Sequence, residues 1–429
     1  MSQPPASGRL PPLAVIADDL TGSCDTAAQF CRYGMRAAMT GASAPDPGPD
    51  LDLLVVNTAS RGLPVERSRQ VAARSARSLL ASGCRPVYKK IDSTLKGPWC
   101  QELAAVMAVV RPDLAIVAPA FPAWGRTSRG GRLLLDGRPP PPRPARGAGP
   151  AGIDSGNLLG RLRAEFGSQV ELLRPDLLRR PAAVVEKQIQ ADRRKGHRVL
   201  LFDIQSDSDL ERLALAGRRL DEAVLWVGSA GLARFLPLSW GRAPTRTAPS
   251  APQARGPVLL ICGSLNPVNK AQLEQLGRRG LATVITLRDE DADSPLQAES
   301  TLKPALEALA RKQSAALCLR LEQRIRSRGH LQRLQQALQS AVGRLLDTGA
   351  PGATILVGGD TALKVYEQCG ARGIRVLGDV EPGIPWGRWI GGRLDGIPLV
   401  TKAGGFGNPD TLCDIARFLT GRPAAEDVL

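Results

Sequence analysis

Short apolar segments rich in β-branched residues alternate with helix-like segments along most of this 429-residue chain. Alternation of this kind is typical of parallel strands joined by helices, so we predict an α/β fold. The strands predicted in the first half are Leu13–Ala17, Leu53–Asn57, Val87–Ile91, Leu114–Ala118, Val199–Phe202 and Val224–Val227. Those predicted in the second half are Val258–Cys262, Thr283–Leu287, Ala315–Leu319, Thr354–Val357, Val376–Gly378 and Pro398–Thr401.

Apolar residues spaced three and four positions apart predict helices between these strands. We expect one helix around Leu103–Val110 and a second, single helix around Leu178–Ile189. The clearest periodicity predicts a helix around Leu331–Leu345, and the last predicted helix is Thr411–Leu419.

The chain is too long for one ordinary core, which predicts two domains. After the strand at 224–227 the periodicity stops, and a stretch rich in proline, alanine, arginine and threonine follows, as in an interdomain linker. We predict a disordered leader at 1–12, an N-terminal domain at 13–240, a linker at 241–256 and a C-terminal domain at 257–429. Each domain is expected to be a largely parallel sheet flanked by helices.

The net charge of +16 is high, and a basic chain of this kind can bind nucleic acid. Only 4% of the residues are aromatic, however, so stacking platforms for single strands are not expected. The arginines are spread along the chain, apart from a basic segment at 129–152 to which the sequence assigns no role. We therefore treat most of the charge as surface charge and nucleic acid as an unfavoured partner.

Cysteine and histidine usage excludes two common kinds of site. The eight cysteines form no C-x-x-C pair, and the histidines are His197 and His330 alone, so neither a zinc site nor a Ser-His or Cys-His triad is expected. The N-terminus lacks the apolar core of a signal peptide, and no apolar run approaches the ~20 residues that span a bilayer. These features predict a cytoplasmic protein with reduced thiols and no membrane partner.

Charged residues follow three of the predicted strands of the first half. Asp18 and Asp19 follow the first, and Lys90, Asp92 and Ser93 end or follow the third. Ligands of α/β sheets bind at the carboxyl ends of strands, so these side chains are candidates for binding a small acid with hydroxyl groups. Alternatively, Asp19 or Thr21 caps the next helix, Ser93 or Thr94 caps another, and the neighbouring Lys89 and Lys96 are solvated.

The fourth predicted strand leads into a loop shaped by proline and glycine that contains Arg126. A guanidinium held by a stiff loop suits a carboxylate or a phosphate, because it can donate two parallel hydrogen bonds. Arg126 is therefore a further candidate for binding an anionic substrate.

Glycine-rich turns follow three predicted strands of the second half. They contain Gly263-Ser264, the segment Gly358-Gly359-Asp360-Thr361, and the segment Lys402–Gly407 with Gly404 and Gly407. Backbone N–H groups in such turns can approach anionic oxygens, which indicates a nucleotide. Neither G-x-x-x-x-G-K-[ST] nor G-x-G-x-x-G is present, so a P-loop or a dinucleotide fingerprint is not supported.

Taken together, these segments resemble the four-carbon acid sugar kinase family. The matching segments are Ile16–Asp25, Lys89–Gly97, Pro119–Thr127, Gly228–Leu232, Gly263–Ser264, Gly358–Thr361, Asp379–Gly383 and Lys402–Gly407. The resemblance implies ATP-dependent phosphorylation of the terminal 4-hydroxyl of D-threonate, D-erythronate or a 3-oxo-tetronate. It places Ser264, Gly358–Thr361, Gly404 and Gly407 at the ATP, and Asp18, Asp19, Lys90, Asp92, Ser93 and Arg126 at the sugar acid.

On this hypothesis Mg²⁺ accompanies ATP, and Asp18 or Asp19 is the base, in an order the sequence leaves open. Arg132 stands near the place where the family has a histidine, which allows an altered specificity. The last glycine-rich turn favours a threonate or erythronate kinase over a 3-oxo-tetronate kinase. The alternative from another class is a non-catalytic ligand- or nucleic-acid-binding protein on the same scaffold, and a homodimer is compatible with either.

Overall fold

The chain forms two compact units, Met1–Arg246 and Thr247–Leu429, here called the N-terminal and C-terminal units. The computed structural model describes residues 12–42, 50–141, 154, 156–220, 223–245, 251–288, 290–291, 294–319 and 328–421. The predicted leader up to residue 11 and residues 246–250 of the predicted linker lie outside these residues. Within the described ranges, no helix is both long and apolar enough to cross a membrane.

A parallel sheet forms the centre of the N-terminal unit. Its strands are β1 Leu13–Ala17, β2 Ala37–Gly41, β3 Leu53–Asn57, β4 Arg85–Lys90, β5 Leu114–Ala118, β8 Val170–Leu173, β9 Val199–Phe202 and β10 Val224–Gly228, while β6 Arg126–Arg129 and β7 Arg132–Leu135 form a separate antiparallel hairpin. The order across the sheet is β2-β3-β1-β4-β10-β5-β9-β8, with every pair parallel. Both faces are buried, which explains why these strands are continuous apolar runs rather than alternating ones.

Helices connect the strands of this unit. They are α1 Leu20–Cys31, α2 Val65–Ala81, α3 Trp99–Val110, α4 Leu158–Phe166, α5 Pro175–Leu178, α6 Ala182–Arg194, α7 Asp207–Gly217 and α8 Ala230–Ala233. Helix α1 begins directly after β1, where the Asp19 side chain accepts a hydrogen bond from Gly22 N. The end of β1 and the start of α1 are thereby fixed next to each other.

The C-terminal unit has a mixed sheet. Its strands are β11 Val258–Cys262, β12 Thr283–Leu287, β13 Ala315–Leu319, β14 Ala353–Val357, β15 Gly373–Glu381, β16 Ile384–Ile390 and β17 Pro398–Lys402, and its helices are α9 Val268–Arg278, α10 Pro295–Ala310, α11 Arg328–Asp347, α12 Gly359–Gln368 and α13 Thr411–Thr420. The order is β12-β13-β11-β14-β17-β16-β15. The first five are parallel, whereas β15 and β16 form an antiparallel hairpin that joins β17.

The predicted α/β class is confirmed, and the strands that were predicted from apolar runs all form, several with the predicted bounds. The sequence pattern missed β2, the β6–β7 hairpin, β8 and β16. Arg126 was predicted to lie in a loop, but it is the first residue of β6. The prediction of one helix over Leu178–Ile189 was wrong, because Pro181 separates α5 from α6 and removes a backbone donor that a continuous helix needs.

A buried arginine of α4 supports the segment that follows β4. The Arg161 guanidinium donates to Leu95 O at 2.8 Å and to Gly97 O at 2.9 Å, and it lies 5.1 Å from the centre of the Trp99 ring. Leu95 and Gly97 both have a positive φ, so this segment leaves its strand in a conformation that needs outside support. Burial lowers the pKa of Arg161. The two carbonyl oxygens that accept its hydrogen bonds suit the charged guanidinium.

We expect Arg161→Met to destabilise the protein, because the variant leaves two backbone carbonyls without the donors that now satisfy them. An orphaned buried polar group costs about 1–3 kcal/mol, which would lower the midpoint of urea unfolding measurably. Arg163→Met, at an exposed position of the same helix, is the matched control and should leave the midpoint unchanged. Equal midpoints for the two variants would contradict the supporting role of Arg161.

Candidate functional site

The charged residues predicted for the N-terminal unit lie at one edge of its sheet. Strand β1 lies between β3 and β4. After β1 the chain forms β2 and β3 on one side of it, and then crosses to form β4 on the other side. Asp18 follows β1, Arg61 follows β3 by four residues, and Lys90 ends β4, ahead of Asp92. The carboxyl ends of adjacent parallel strands at such a reversal form a crevice, which is the usual ligand position in this fold class.

Arg61 is the centre of this edge, and the sequence analysis did not identify it. Its Nε and Nη2 donate to the two carboxylate oxygens of Asp18, each at 2.8 Å, and Nη2 also donates to Asp19 Oδ1 at 2.7 Å. Nη1 lies 3.6 Å from Asp92 Oδ1. A single guanidinium therefore bridges carboxylates from two strand ends in a fork geometry that lysine could not provide.

These contacts control the ionisation of the carboxyl groups. Burial opposes the charge of Asp18, but the Arg61 cation and its hydrogen bonds outweigh it and lower the pKa of Asp18. For Asp92, burial again acts first, and Arg61 and Lys96 overcome it, so the pKa falls well below its usual value. Both groups are therefore weak proton acceptors, and they serve as fixed negative charges.

A buried network holds the loop that carries Arg61. Ser60 Oγ donates to Glu102 Oε1 at 2.6 Å, and Glu102 Oε2 lies 2.8 Å from Lys89 Nζ, with both charged side chains almost fully buried. Ala59, directly before Ser60, has a positive φ of 50°, an uncommon conformation for a residue other than glycine. The expectation that Lys89 is solvated was wrong: it is a structural cation, paired with Glu102 inside the protein.

Asp25 lies on the α1 face that borders the same edge. A Cβ at Gly22 would lie 2.8 Å from Lys90 Nζ, so the glycine permits the ammonium to approach α1. Asp25 is three residues further on and therefore shares this face. Burial raises the pKa of Asp25 to about 6, although Lys90 and Arg126 act in the opposite direction.

The remaining predicted residues of this unit occupy the same edge. Arg126 is mostly buried, which lowers its pKa, while Asp92, Asp25 and Asp136 act to raise it. Asp92 Oδ2 accepts hydrogen bonds from the Thr94 hydroxyl and from the backbone of residues 94 and 96, and Ser93 is buried beside it. The edge thus contains both cations and carboxylates.

Three turns of the C-terminal unit lie next to each other because β11, β14 and β17 are neighbours in its sheet. Ser264 follows β11, and a Cβ at Gly404 would lie only 2.0 Å from Ser264 Oγ. No residue larger than glycine therefore fits at position 404, in the turn after β17. The turn after β14 joins them, since Gly358 N donates to Lys402 O at 2.9 Å. The predicted nucleotide residues after these strands therefore form one cluster.

Helix α12 begins within this cluster, and its N-terminus offers unpaired backbone N–H groups to an anion. Asp360 is exposed in its first turn, and the Thr361 side chain is buried. Gly407 lies at the end of the turn after β17, with a positive φ of 87°, against Thr411 at the start of α13. In the part of the chain that the structure describes, no group of three or more His, Cys, Asp or Glu side chains could hold a metal ion.

Strand-end position alone could have identified Arg61, because Asn57 ends an apolar strand and the polar residues after it lie at the same edge as Asp18. The pattern could not identify the role of Glu102, which faces Lys89 from inside helix α3. Asp25 stood in the segment that resembles the kinase family, but no sequence signal showed that it would be buried near Lys90.

Two family models match the chain. Residues 13–236 match a sugar-binding N-terminal domain, and residues 259–412 match a nucleotide-binding C-terminal domain. Together they cover most of the chain, and each contains one of the two clusters described above.

Similar proteins are kinases of four-carbon acids. The chain is 30% identical to a D-threonate kinase of Salmonella typhimurium and 31% identical to one of Bordetella bronchiseptica, with 95% and 96% of this chain and 98% of each relative covered. It is also 30% identical to a 3-oxo-tetronate kinase of Cupriavidus necator, over 96% of this chain and 98% of the relative. A solved structure of a Haemophilus influenzae protein has the same fold, with a TM-score of 0.70 and 22% identity over 95% of this chain and 100% of that one.

We expect Asp25→Asn to stabilise the protein more at high pH than at low pH. Because the pKa of Asp25 rises from 3.8 to about 6 on folding, ionising this buried group costs stability; the cost builds up between these two pH values and is avoided by an asparagine. The variant should exceed the wild type by roughly 3 kcal/mol in unfolding free energy at pH 8 and by roughly 1 kcal/mol at pH 4.5, and the gap should close only below pH 3.8.

The measurement is urea unfolding of both proteins at the two pH values, with Asp176→Asn, at an exposed position of α5, as the control. A gap that does not change with pH would contradict the burial of an ionisable Asp25.

Proposed function

The chain belongs to the four-carbon acid sugar kinase family and is an ATP-dependent carbohydrate kinase, and we propose that its acceptor is the terminal 4-hydroxyl of D-threonate. Two of the relatives described above are D-threonate kinases. The turn that reads Lys402-Ala403-Gly404-Gly405 also favours this type or the erythronate type. A 3-oxo-tetronate is the alternative acceptor, since a relative of similar identity acts on that class.

The observation that carries this proposal is the mixture of charges at the edge of the N-terminal sheet. Arg61 is already matched by Asp18, Asp19 and Asp92, and Lys90 and Arg126 add two further cations that act on Asp25 and Asp92. We assign Lys90 and Arg126 to the carboxylate of the acid, because both cations border this edge and a cation donates strong hydrogen bonds to a carboxylate. Asp92 and Ser93 would bind its hydroxyl groups.

Among the two predicted bases, we propose Asp19. Both oxygens of Asp18 are held by Arg61, and its lowered pKa makes it a weak acceptor. Asp19 is less buried, and its Oδ2 is bonded only by the Thr21 hydroxyl among the described contacts, at 2.9 Å. Asp19 would accept the proton of the terminal hydroxyl as that oxygen attacks the γ-phosphorus and ADP leaves.

The nucleotide is assigned to the cluster of the C-terminal unit. Ser264, Gly404, Gly407 and the segment Gly358–Thr361 would surround its phosphates with backbone N–H groups and hydroxyls. ATP would bind as its Mg²⁺ complex, which suits a site with few carboxylates, since Mg²⁺ often keeps its waters and phosphate ligands. Asp360 would contact that ion through water.

The acceptor is tested by ADP release from MgATP with the purified protein. We expect D-threonate to give the highest kcat/KM, with D-erythronate and 3-oxo-tetronates at least tenfold lower, because one misplaced hydroxyl leaves buried polar groups unpaired. Acceptor-independent ADP release is subtracted as the background. Higher activity on a 3-oxo-tetronate would identify the protein as a 3-oxo-tetronate kinase instead. If none of these acids gave acceptor-dependent ADP release, the proposed substrate class would be contradicted.

The base is tested with Asp19→Asn, which keeps the shape of the side chain and removes its ability to take a proton. We expect kcat to fall by about 10²- to 10⁴-fold with little change in the KM for ATP. Asp176→Asn, on the surface of α5, is the control. If Asp19→Asn keeps a near-normal kcat, another group is the base.

A further inference from the structure

Strand β17 ends in a lysine whose side chain is completely buried. Lys402 Nζ donates to Asn269 Oδ1 at 3.0 Å, to Phe406 O at 2.9 Å and to Ala403 O at 3.3 Å. Three N–H donors therefore meet three acceptors, all of them neutral. Within the described residues, no carboxylate lies within ion-pair distance of this ammonium.

Asn269 extends these contacts to the turn after β11. Asn269 lies on α9, and its Nδ2 donates to Ser264 Oγ at 3.0 Å while its Oδ1 accepts from Lys402. One buried amide thus connects the ammonium to Ser264. The neighbouring Gln272 supports the same arrangement from α9, since its Nε2 donates to Phe406 O at 3.1 Å and to Asn408 O at 2.8 Å.

The turn after β14 is tied to the same residue through the backbone. Gly358 N donates to Lys402 O, directly before the start of α12. Because Gly404 packs against Ser264 with no room for a Cβ, a small movement of the turn after β17 would also displace Ser264. The positions of all three turns are therefore coupled at Lys402.

We propose that Lys402 is a positioning residue for the nucleotide: its ammonium holds the turn after β17 and, through Asn269, the turn after β11, while its backbone oxygen holds the turn after β14, in the arrangement that binds the phosphates of ATP. The proposal rests on the nucleotide role assigned above to Ser264, Gly358 and Gly404. Lys402 does not itself touch the nucleotide, because its side chain is inaccessible. Supporting groups of this kind fix the geometry of the groups that do.

The charge state of Lys402 gives the arrangement a pH dependence. Burial lowers its pKa to about 8, while Cys262 at the end of β11 and Glu381 at the end of β15 act to raise it. Cys262 is a neutral thiol, because burial raises its pKa to about 12, and Glu381 has a raised pKa owing to burial and to Asp414 on α13. Above pH 8 the amine has two donors for three acceptors, so one contact is lost.

The test is the Kd for MgATP, measured by calorimetry on the full-length protein, for the wild type and Lys402→Met. We expect the variant to bind MgATP at least tenfold more weakly, as for other buried groups that orient a binding residue. The D-threonate-induced rise in Tm, which reports on the N-terminal unit, should be retained. Lys270→Met, at an exposed position next to Asn269, is the matched control and should bind MgATP like the wild type.

Two further measurements separate positioning from mere stability. The wild-type Kd for MgATP should rise between pH 7.5 and pH 9.5, whereas that of Lys402→Met should stay level, since the titrating group is gone. Asn269→Ala keeps the lysine but breaks its link to Ser264, and it should also weaken MgATP binding; this variant and the wild-type pH profile decide the question if Lys402→Met does not fold.

Unchanged MgATP binding in a folded Lys402→Met variant would overturn the proposal. So would a wild-type Kd that is independent of pH together with normal binding by Asn269→Ala. A wild type that binds no MgATP would instead contradict the proposed nucleotide site itself, so the two failures are distinguishable.

Discussion

The fork of hydrogen bonds from Arg61 is the interaction on which the charged edge of the N-terminal sheet depends. Asp18 and Asp19 connect β1 to α1, and Asp92 follows β4, so three carboxylates would repel one another across two strand ends without a shared cation. The guanidinium resolves this and fixes the direction in which both chain segments leave the sheet. Without that side chain, three neighbouring carboxylates would repel an anionic substrate, which Lys90 and Arg126 are proposed to bind.

In both units, a buried lysine near the end of a strand supports the irregular backbone of a candidate binding site. In the N-terminal unit, Lys89 is paired with Glu102, which in turn bonds the loop that carries Arg61. In the C-terminal unit, Lys402 is solvated by carbonyl oxygens and one amide. The first arrangement pairs the lysine with a carboxylate. In the second, the buried ammonium has only neutral hydrogen-bond partners, so burial lowers the pKa of Lys402.

Sequence pattern predicted the fold where burial on both faces produces continuous apolar runs, as in β3, β5 and β9. It missed strands that form through pairing with neighbouring strands rather than through a continuous run of apolar residues. Strand β2 contains alanine, threonine and glycine, β16 contains proline and glycine, and both are strands because neighbouring strands pair with them. Strand ends identified most charged residues of the candidate site, but the partners of Arg61 and Lys402 depend on contacts between distant segments, which no local pattern encodes.

Strand β10 lies between β4 and β5 although it is the last strand of its unit in the chain, and Gly228 O accepts from Ile91 N at 2.8 Å, directly before Asp92. The backbone that presents Asp92 and Ser93 is therefore supported by a segment that the ribosome makes more than a hundred residues later. Contacts of such long sequence separation form late in folding. A nascent chain that ends at Arg126 thus contains every charged group described at this edge but not β10, so these groups are not held in their final arrangement until β10 has been made.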